Sequence, residues 1–363
     1  MSRVRELLKR SARRVLIERL GVVPRWATLR PYALPGVARV VEFRWAWLVR
    51  RRRVLDREEY AARVNIGAAE ELVDCPLCGE QRVQPLLAPR RDGDWAYRVV
   101  RCPSCEMLYR NPSIRPERVG DLYSDGYAGF LTGRYAENRQ EDYRVALAAF
   151  GPLFADGAGR RLLDYGCGIG LFLEVALERG FDACGVDLAP DAVREARRRG
   201  LRAWHGTAGD VPEVAAGEFD VVTLWSVLAH LPRPIDELAM LRRLLAPDGV
   251  LLVSTVNANS LLLKAYGERW GGFTRNHLIF SSPTTLPRLL RAAGFAAVCV
   301  RPMYGGGVER GEAGLSDRQE RRLYRAVMRG NQGTMLRATA FASADGPHAW
   351  GLLEGRVTRV SSR

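Results

Sequence analysis

An α/β fold built on an open, doubly wound parallel sheet is what this sequence predicts, on three observations. The first is Leu162-Leu-Asp-Tyr-Gly-Cys-Gly-Ile-Gly170, an apolar run that breaks into a glycine-rich turn. The second is Gly185-Val-Asp187, a second apolar run that ends on a carboxylate 21 residues after Gly166. The third is an alternation of strand-like and helix-like periods across the second half of the chain, as an open parallel sheet requires.

The elements follow in order. Residues 1–60 hold sixteen Lys or Arg against six Asp or Glu, a surplus of ten within a net charge of +14. Val4, Leu7, Leu8, Val15, Leu16 and Leu20 fall near one face of a basic amphipathic helix. Phe43-Arg-Trp-Ala-Trp-Leu48 and Arg50 to Arg53 come next. Trp, Leu and clustered Arg fit docking on an anionic membrane surface or a protein partner; the competing reading packs this face on the neighbouring module. A Tyr-rich connector spans Met107 to Ala149. Strands are expected near 161–165, 182–187, 201–205, 219–225, 249–256, 295–301 and 334–342, with helices at Leu171–Arg179, Pro190–Arg199 and Pro234–Leu245 between them. The expected division is an arm at 1–70, a ribbon at 71–112, a helical connector or lid at 113–158, the α/β domain at 159–345 and a tail at 346–363. No apolar run approaches the roughly 18 residues of a membrane span, and the Arg-studded first twenty residues lack a signal-peptide core. A cytoplasmic protein is expected, peripheral at the inner membrane surface if the arm docks there.

Cys75-x2-Cys78 and Cys102-x2-Cys105, with 23 residues between the pairs, can arrange four thiolates around one Zn²⁺. A closed four-cysteine site has no open coordination position, so the zinc is expected to be structural. Asp94 to Val100 reads as a ribbon strand between the pairs. Cys167, Cys184 and Cys299 read as core thiols.

The spacing of the glycine turn separates its possible ligands. Dinucleotide sites favour G-x-G-x-x-G facing a pyrophosphate. Here the third glycine comes one residue early, position 171 is Leu, and Asp164 stands just before the turn. S-adenosylmethionine (SAM) carries an ammonium and a sulfonium in place of phosphates, and a carboxylate suits it. The passage resembles the SAM-binding motif of class I methyltransferases; NAD-type binding and a ligand-free Rossmann domain are the alternatives. The resemblance implies a Rossmann-like seven-stranded sheet whose last strand is antiparallel. It also implies cofactor contacts from Asp164, Gly166, Gly168 and Gly170, from Asp187 (ribose hydroxyls) with Leu188, and from Thr207 and Ala208 beside the adenine. Trp225 and Ser226 at the fourth strand's end complete that set, and Tyr127 and Tyr135 are expected in a lid over the cofactor.

Two further passages extend the resemblance over roughly residues 72–300. In Leu224 to Pro232, Ala229 stands where family members commonly carry Glu, while His230 and Leu231 remain. Trp270 to Ser281 and the cysteine module resemble bacterial small-molecule methyltransferases, including sugar C-methyltransferases, whose large third domain has no room after Val300. The chain has four histidines. His277 is the first candidate general base and His230 the second, since an ordinary imidazole titrates near 6.5; a structural hydrogen bond is the competing reading for each. The function expected is methyl transfer from SAM to a small-molecule biosynthetic intermediate. A ribosomal RNA methyltransferase using the ribbon and basic arm is one alternative, although the fourth strand lacks an Asn/Asp-Pro-Pro-aromatic pattern and nucleic acid is the less favoured partner. A non-catalytic SAM-binding scaffold is the other.

Overall fold

The computed structural model describes residues 42, 45–87, 90–92, 95–123, 129, 133–150, 157, 159–267, 270–303, 333–346 and 358–359. The helix expected over 1–20 and Tyr127 lie outside these residues. Tyr135 lies in a described helix, but its side chain is outside the described set.

The central sheet comprises β1 (Arg161–Tyr165), β2 (Asp182–Asp187), β3 (Ala203–His205), β4 (Phe219–Trp225), β5 (Leu245–Val256), β6 (Ala297–Met303), β7 (Met335–Phe341) and a two-residue edge, β8 (Thr358–Arg359). Their order is β3-β2-β1-β4-β5-β7-β6-β8. β1 to β5 pair in parallel, and β7 runs antiparallel between β5 and β6. This is the Rossmann-like class I methyltransferase arrangement expected, with seven principal strands and β8 added at the edge.

Helices α1 (Gly133–Phe150), α2 (Leu171–Glu178), α3 (Pro190–Arg198), α4 (Pro212–Ala215), α5 (Pro234–Arg243), α6 (Leu261–Tyr266) and α7 (Thr285–Ala292) flank or connect the strands. α3 shows why these segments are helical. Proline opens it, Asp191 occupies its first turn, and Arg197 and Arg198 occupy its last, each complementing the helix dipole. Its buried stripe is Ala192, Val193 and Ala196, small enough for close approach to the sheet. α5 ends at Arg243, short of the expected Leu245, because Leu245 already pairs with Phe219 in the sheet.

The cysteine module forms antiparallel strands Gln84–Pro85, Val99–Arg101 and Leu108–Arg110. The strand expected over Asp94 to Val100 is broken. Trp95–Tyr97 pairs back with Arg90–Asp92, and Val99 starts a different sheet. The break falls at Arg98, whose carbonyl accepts from Asn111 N at 3.1 Å.

A fourth strand of the ribbon sheet comes from the α/β domain itself. Ile279–Phe280 pairs antiparallel with the third ribbon strand, Ile279 opposite Tyr109 and Phe280 opposite Leu108. One continuous apolar cluster accordingly holds Cys75, Val100 and Tyr109 together with Leu163, Leu224 and Leu286. A second joins Leu86, Val99 and Leu108 to Trp270, Phe273 and Phe280, with Trp45, Leu48 and Val49 packed against it. Within the described part of the expected arm, Trp45, Leu48 and Val49 turn inward while Arg50 to Val54 are exposed. Gln84 Nε2 donates to Val49 O and Arg52 O at 2.9 and 2.8 Å, and Lys264 pairs with Glu42 at 2.7 Å. Among the described residues no helix is long and apolar enough to cross a membrane.

Phe280 is fully buried at this seam and meets Phe273 edge-on at 5.1 Å. Phe280→Ala is expected to remove about 3–5 kcal/mol of stability, read by urea denaturation; a loss below 1 kcal/mol would mean that the seam does not carry the packing assigned to it.

Candidate functional site

The carboxyl ends of β1 to β4 open into one cavity of about 530 Å³, within the range of ligand-binding pockets. Its floor is the turn after β1. Gly166 and Gly170 both have φ of +83°, a left-handed conformation costly for any residue with a Cβ. A Cβ on Gly166 would lie 2.3 Å from Val227 Cγ2, and one on Gly170 would lie 2.2 Å from Leu201 Cδ1. The glycines thus admit the β4 loop and the strand after α3 as well as the turn.

Asp187 locks this turn. Its Oδ2 accepts from Gly168 N at 2.7 Å and its Oδ1 from Ala189 N at 2.8 Å. Burial raises its carboxyl above the ordinary value, and those two backbone bonds oppose the rise. At the third strand, Asp210 accepts from Thr207 N at 3.0 Å and from Thr207 Oγ1 at 2.6 Å, shaping the loop that begins at Gly206. At the fourth, Ser226 is a non-glycine residue at φ +63°, held by its N–H bond to Ser254 O at 2.8 Å.

Of the residues expected at the cofactor, Gly166, Gly168, Asp187 and Leu188 line the cavity. Thr207, Trp225 and Ser226 line it too. Gly170 lies behind the turn against Leu201, and Ala208 is fully buried in the core. Asp164 also departs from expectation. It does not reach the cavity but points within the sheet, where Thr223, opposite it on β4, donates from Oγ1 at 2.7 Å.

The two candidate histidines are differently placed. His230 lines the cavity, and Tyr123 OH lies 2.7 Å from its Nδ1. His277 stands behind it, edge-on with ring centroids 4.9 Å apart, its Nδ1 held 2.6 Å from Gly272 O. Neither ring has the ordinary imidazole pKa. Burial lowers both, and the neighbouring His277 helps push His230 down to about 3.

The cavity also contains residues to which the sequence alone gives no individual role, one of them Tyr143 of the Tyr-rich connector. Arg139 and Tyr143, one turn apart on α1, face it, and Tyr143 packs on Trp225 at 5.5 Å. Tyr165 lines it and donates to Glu237 Oε2 at 2.6 Å. The available signal was the i, i+4 spacing of Arg139 and Tyr143 on a long helix preceding the turn.

The four ribbon cysteines converge, with their sulfurs all within 4.8 Å of one another. Cys75 and Cys105 are 3.4 Å apart, and Cys78 and Cys102 are 3.6 Å apart. A tetrahedron of thiolates at about 2.3 Å from zinc has sulfurs about 3.8 Å apart. The two knuckles use the same turn. Gly79 N donates to Cys75 O and Glu106 N to Cys102 O, with φ of +71° and +69°. This soft, closed donor set fits a structural zinc. Cys167 and Cys184 are buried as expected, whereas Cys299 is half-buried.

Residues 135–300 match the model of a methyltransferase domain. Over these residues the chain is similar to that family, and the match covers a little under half of its length. A ubiquinone biosynthesis O-methyltransferase of Psychrobacter arcticus is 33% identical over 153 residues, covering 38% of this chain and 60% of that protein. One from Methylococcus capsulatus is 38% identical over 115 residues, covering 30% of this chain and 47% of that protein. The chain thus spans less than two thirds of either relative. A Burkholderia thailandensis 1,6-didemethyltoxoflavin-N1-methyltransferase, solved with bound 1,6-didemethyltoxoflavin and S-adenosylhomocysteine, aligns with a TM-score of 0.44 at 21% identity over 70% of this chain and 99% of that one.

Within the central sheet, burial pushes Asp164 up to about 7 from 3.8, opposed by the Thr223 bond. The folded chain then holds this proton more tightly than the unfolded one. The group's contribution is fully present below about pH 4 and is lost as pH rises through about 7, a change of up to about 4 kcal/mol. Asp164→Asn, which cannot ionise, is expected to gain stability relative to the parent by several degrees of Tm between pH 4 and pH 8; a pH-independent difference in thermal melts would refute the burial account.

Proposed function

We propose that this chain is a SAM-dependent methyltransferase that acts on a hydroxyl of a small biosynthetic intermediate, with a structural zinc held by Cys75, Cys78, Cys102 and Cys105. The observation that carries the reading is one cavity in which the locked glycine turn and Asp187 face the Tyr123–His230 pair. Support for an oxygen acceptor comes from the names of the relatives, which are O-methyltransferases.

Bound SAM supplies an already activated methyl group on sulfonium sulfur. The chain's part is to fix the donor, hold the acceptor in line and accept a proton where the acceptor must lose one. Gly166 and Gly168 are assigned to the floor of the cofactor site. Asp187 is assigned to the ribose hydroxyls: each of its oxygens accepts one backbone N–H and keeps a lone pair for another donor. Leu188, Thr207, Trp225 and Ser226 are assigned to the walls around the adenine and the methionine chain. Asp164 acts through the sheet rather than by contact, and Tyr135 keeps the lid role expected of it.

Tyr123 and His230 are assigned to the acceptor. Tyr123 OH and His230 Nδ1 share one hydrogen bond, which fixes the tyrosine oxygen where it can orient an acceptor hydroxyl. His277 is assigned to holding the His230 ring. The basic residues ahead of position 42 are assigned to recruitment, at an anionic membrane surface or a protein partner on the cytoplasmic side.

Two measurements test the reading. Asp187→Ala should weaken S-adenosylhomocysteine binding by about 1–3 kcal/mol in calorimetry; unaltered affinity would remove Asp187 from the cofactor site. Purified protein with methyl-labelled SAM and host extract should deliver label to the small-molecule fraction. Label confined to RNA would replace this function with the nucleic-acid alternative.

A further inference from the structure

We propose that Arg110 is a positioning residue that ties the zinc ribbon to the wall carrying His230 and His277, so that the metal-held module sets the acceptor side of the cavity. The meaning of that wall rests on the methyltransferase reading; the connection itself rests on geometry alone.

Arg110 is fully buried, five residues beyond Cys105. Its backbone N donates to Leu278 O at 2.8 Å, and Leu278 N donates in turn to Ala229 O at 2.7 Å, next to His230. Its side chain repeats the connection. Nη1 donates to Arg275 O at 2.9 Å, two residues from His277, while Nε donates to Pro112 O at 3.2 Å and Nη2 pairs with Glu70. A planar guanidinium can hold three such partners in fixed directions, and a lysine ammonium cannot reproduce that fork. A buried cation also needs its anion, and Glu70 is itself buried in the strand Glu70–Glu71 that pairs with Ser113–Ile114. Tyr123 reaches His230 from the same side, at the end of the 3-10 turn that follows this strand pair.

The cofactor side is built differently. The bonds of Asp187 to Gly168 and Ala189 are made between the ends of β1 and β2 and involve no ribbon residue. The polar bonds that hold the two walls are therefore distinct, while their apolar packing is shared through Val227 on Gly166 and the common core. Loss of the metal should loosen the acceptor wall and spare the cofactor wall.

The test is hydrogen exchange on the full chain, read by mass spectrometry. Three samples are compared: zinc-loaded parent, chelator-stripped parent and zinc-loaded Arg110→Lys. Stripping is expected to speed exchange about tenfold over 226–232 and 272–281 while leaving 162–170 and 183–189 within about twofold, as a local opening does. S-adenosylhomocysteine affinity should stay within about threefold. Arg110→Lys with one zinc per chain should reproduce the change over 272–281. The proposal fails if stripping opens the ribbon but leaves 226–232 and 272–281 protected, if exchange rises equally everywhere, or if Arg110→Lys exchanges like the parent. Should that variant not fold, the stripped parent reads the same segments and decides the matter. Absence of S-adenosylhomocysteine binding in the loaded parent would overturn the functional reading while the exchange pattern still judged Arg110.

Discussion

The bond between Asp187 and the backbone of Gly168 is the interaction on which the site depends. A glycine turn between two parallel strands has many accessible conformations, and only a fixed acceptor selects one. Asp187 supplies that acceptor from the end of the neighbouring strand, and a second bond to Ala189 fixes where α3 begins. The carboxylate is held in a mostly buried position at a cost in hydration, which the two N–H bonds offset in part. With the turn fixed, Val227 can close over Gly166 and Leu201 over Gly170. Those contacts in turn bring the β4 loop, with Trp225 and Ser226, onto the same cavity.

Much of this was legible because it is local. Strand and helix periods found the sheet, and the turn spacing separated one ligand class from another. What was not legible depends on partners far away in sequence. Asp164 reads as a free acid beside the turn until β1 is seen beside β4, where Thr223 captures it. His277 reads as the better base until residues 278–280 are seen pairing with the ribbon, which carries His277 behind His230. Tyr123 carries no local sign of its role, because its partner lies 107 residues away. Trp45 and Leu48 look like a docking face by composition, yet the apolar surface they cover belongs to both modules.

Sharing that surface changes what the ribbon is. A four-strand ribbon of two- and three-residue strands has too little apolar area to be stable alone, and a metal ordinarily compensates. Here one of those strands is Ile279–Phe280, so the ribbon is completed by the domain it precedes. The dependence runs both ways. The loop from Trp270 to Phe280 has no long element of its own, and the ribbon strand beside it supplies the backbone partners it would otherwise lack.

The state of the histidines limits the chemistry this wall can support. A proton on His230 costs up to about 5 kcal/mol more than on an imidazole in water, and somewhat less where the ring edge meets the cavity. His277 deepens the cost, since its ring is 4.9 Å away and a charge on either disfavours a charge on the other. On the proposed reading the pair serves best as neutral hydrogen-bonding groups that orient an acceptor. An acceptor hydroxyl that readily surrenders its proton suits such a wall, because the proton need not rest on His230 while the methyl moves. An ordinary aliphatic hydroxyl would require a stronger base than the ligand-free wall provides. The burial that makes His230 a weak base is the same burial that holds it at the cavity edge, so basicity and position cannot be adjusted separately by changes at this ring alone.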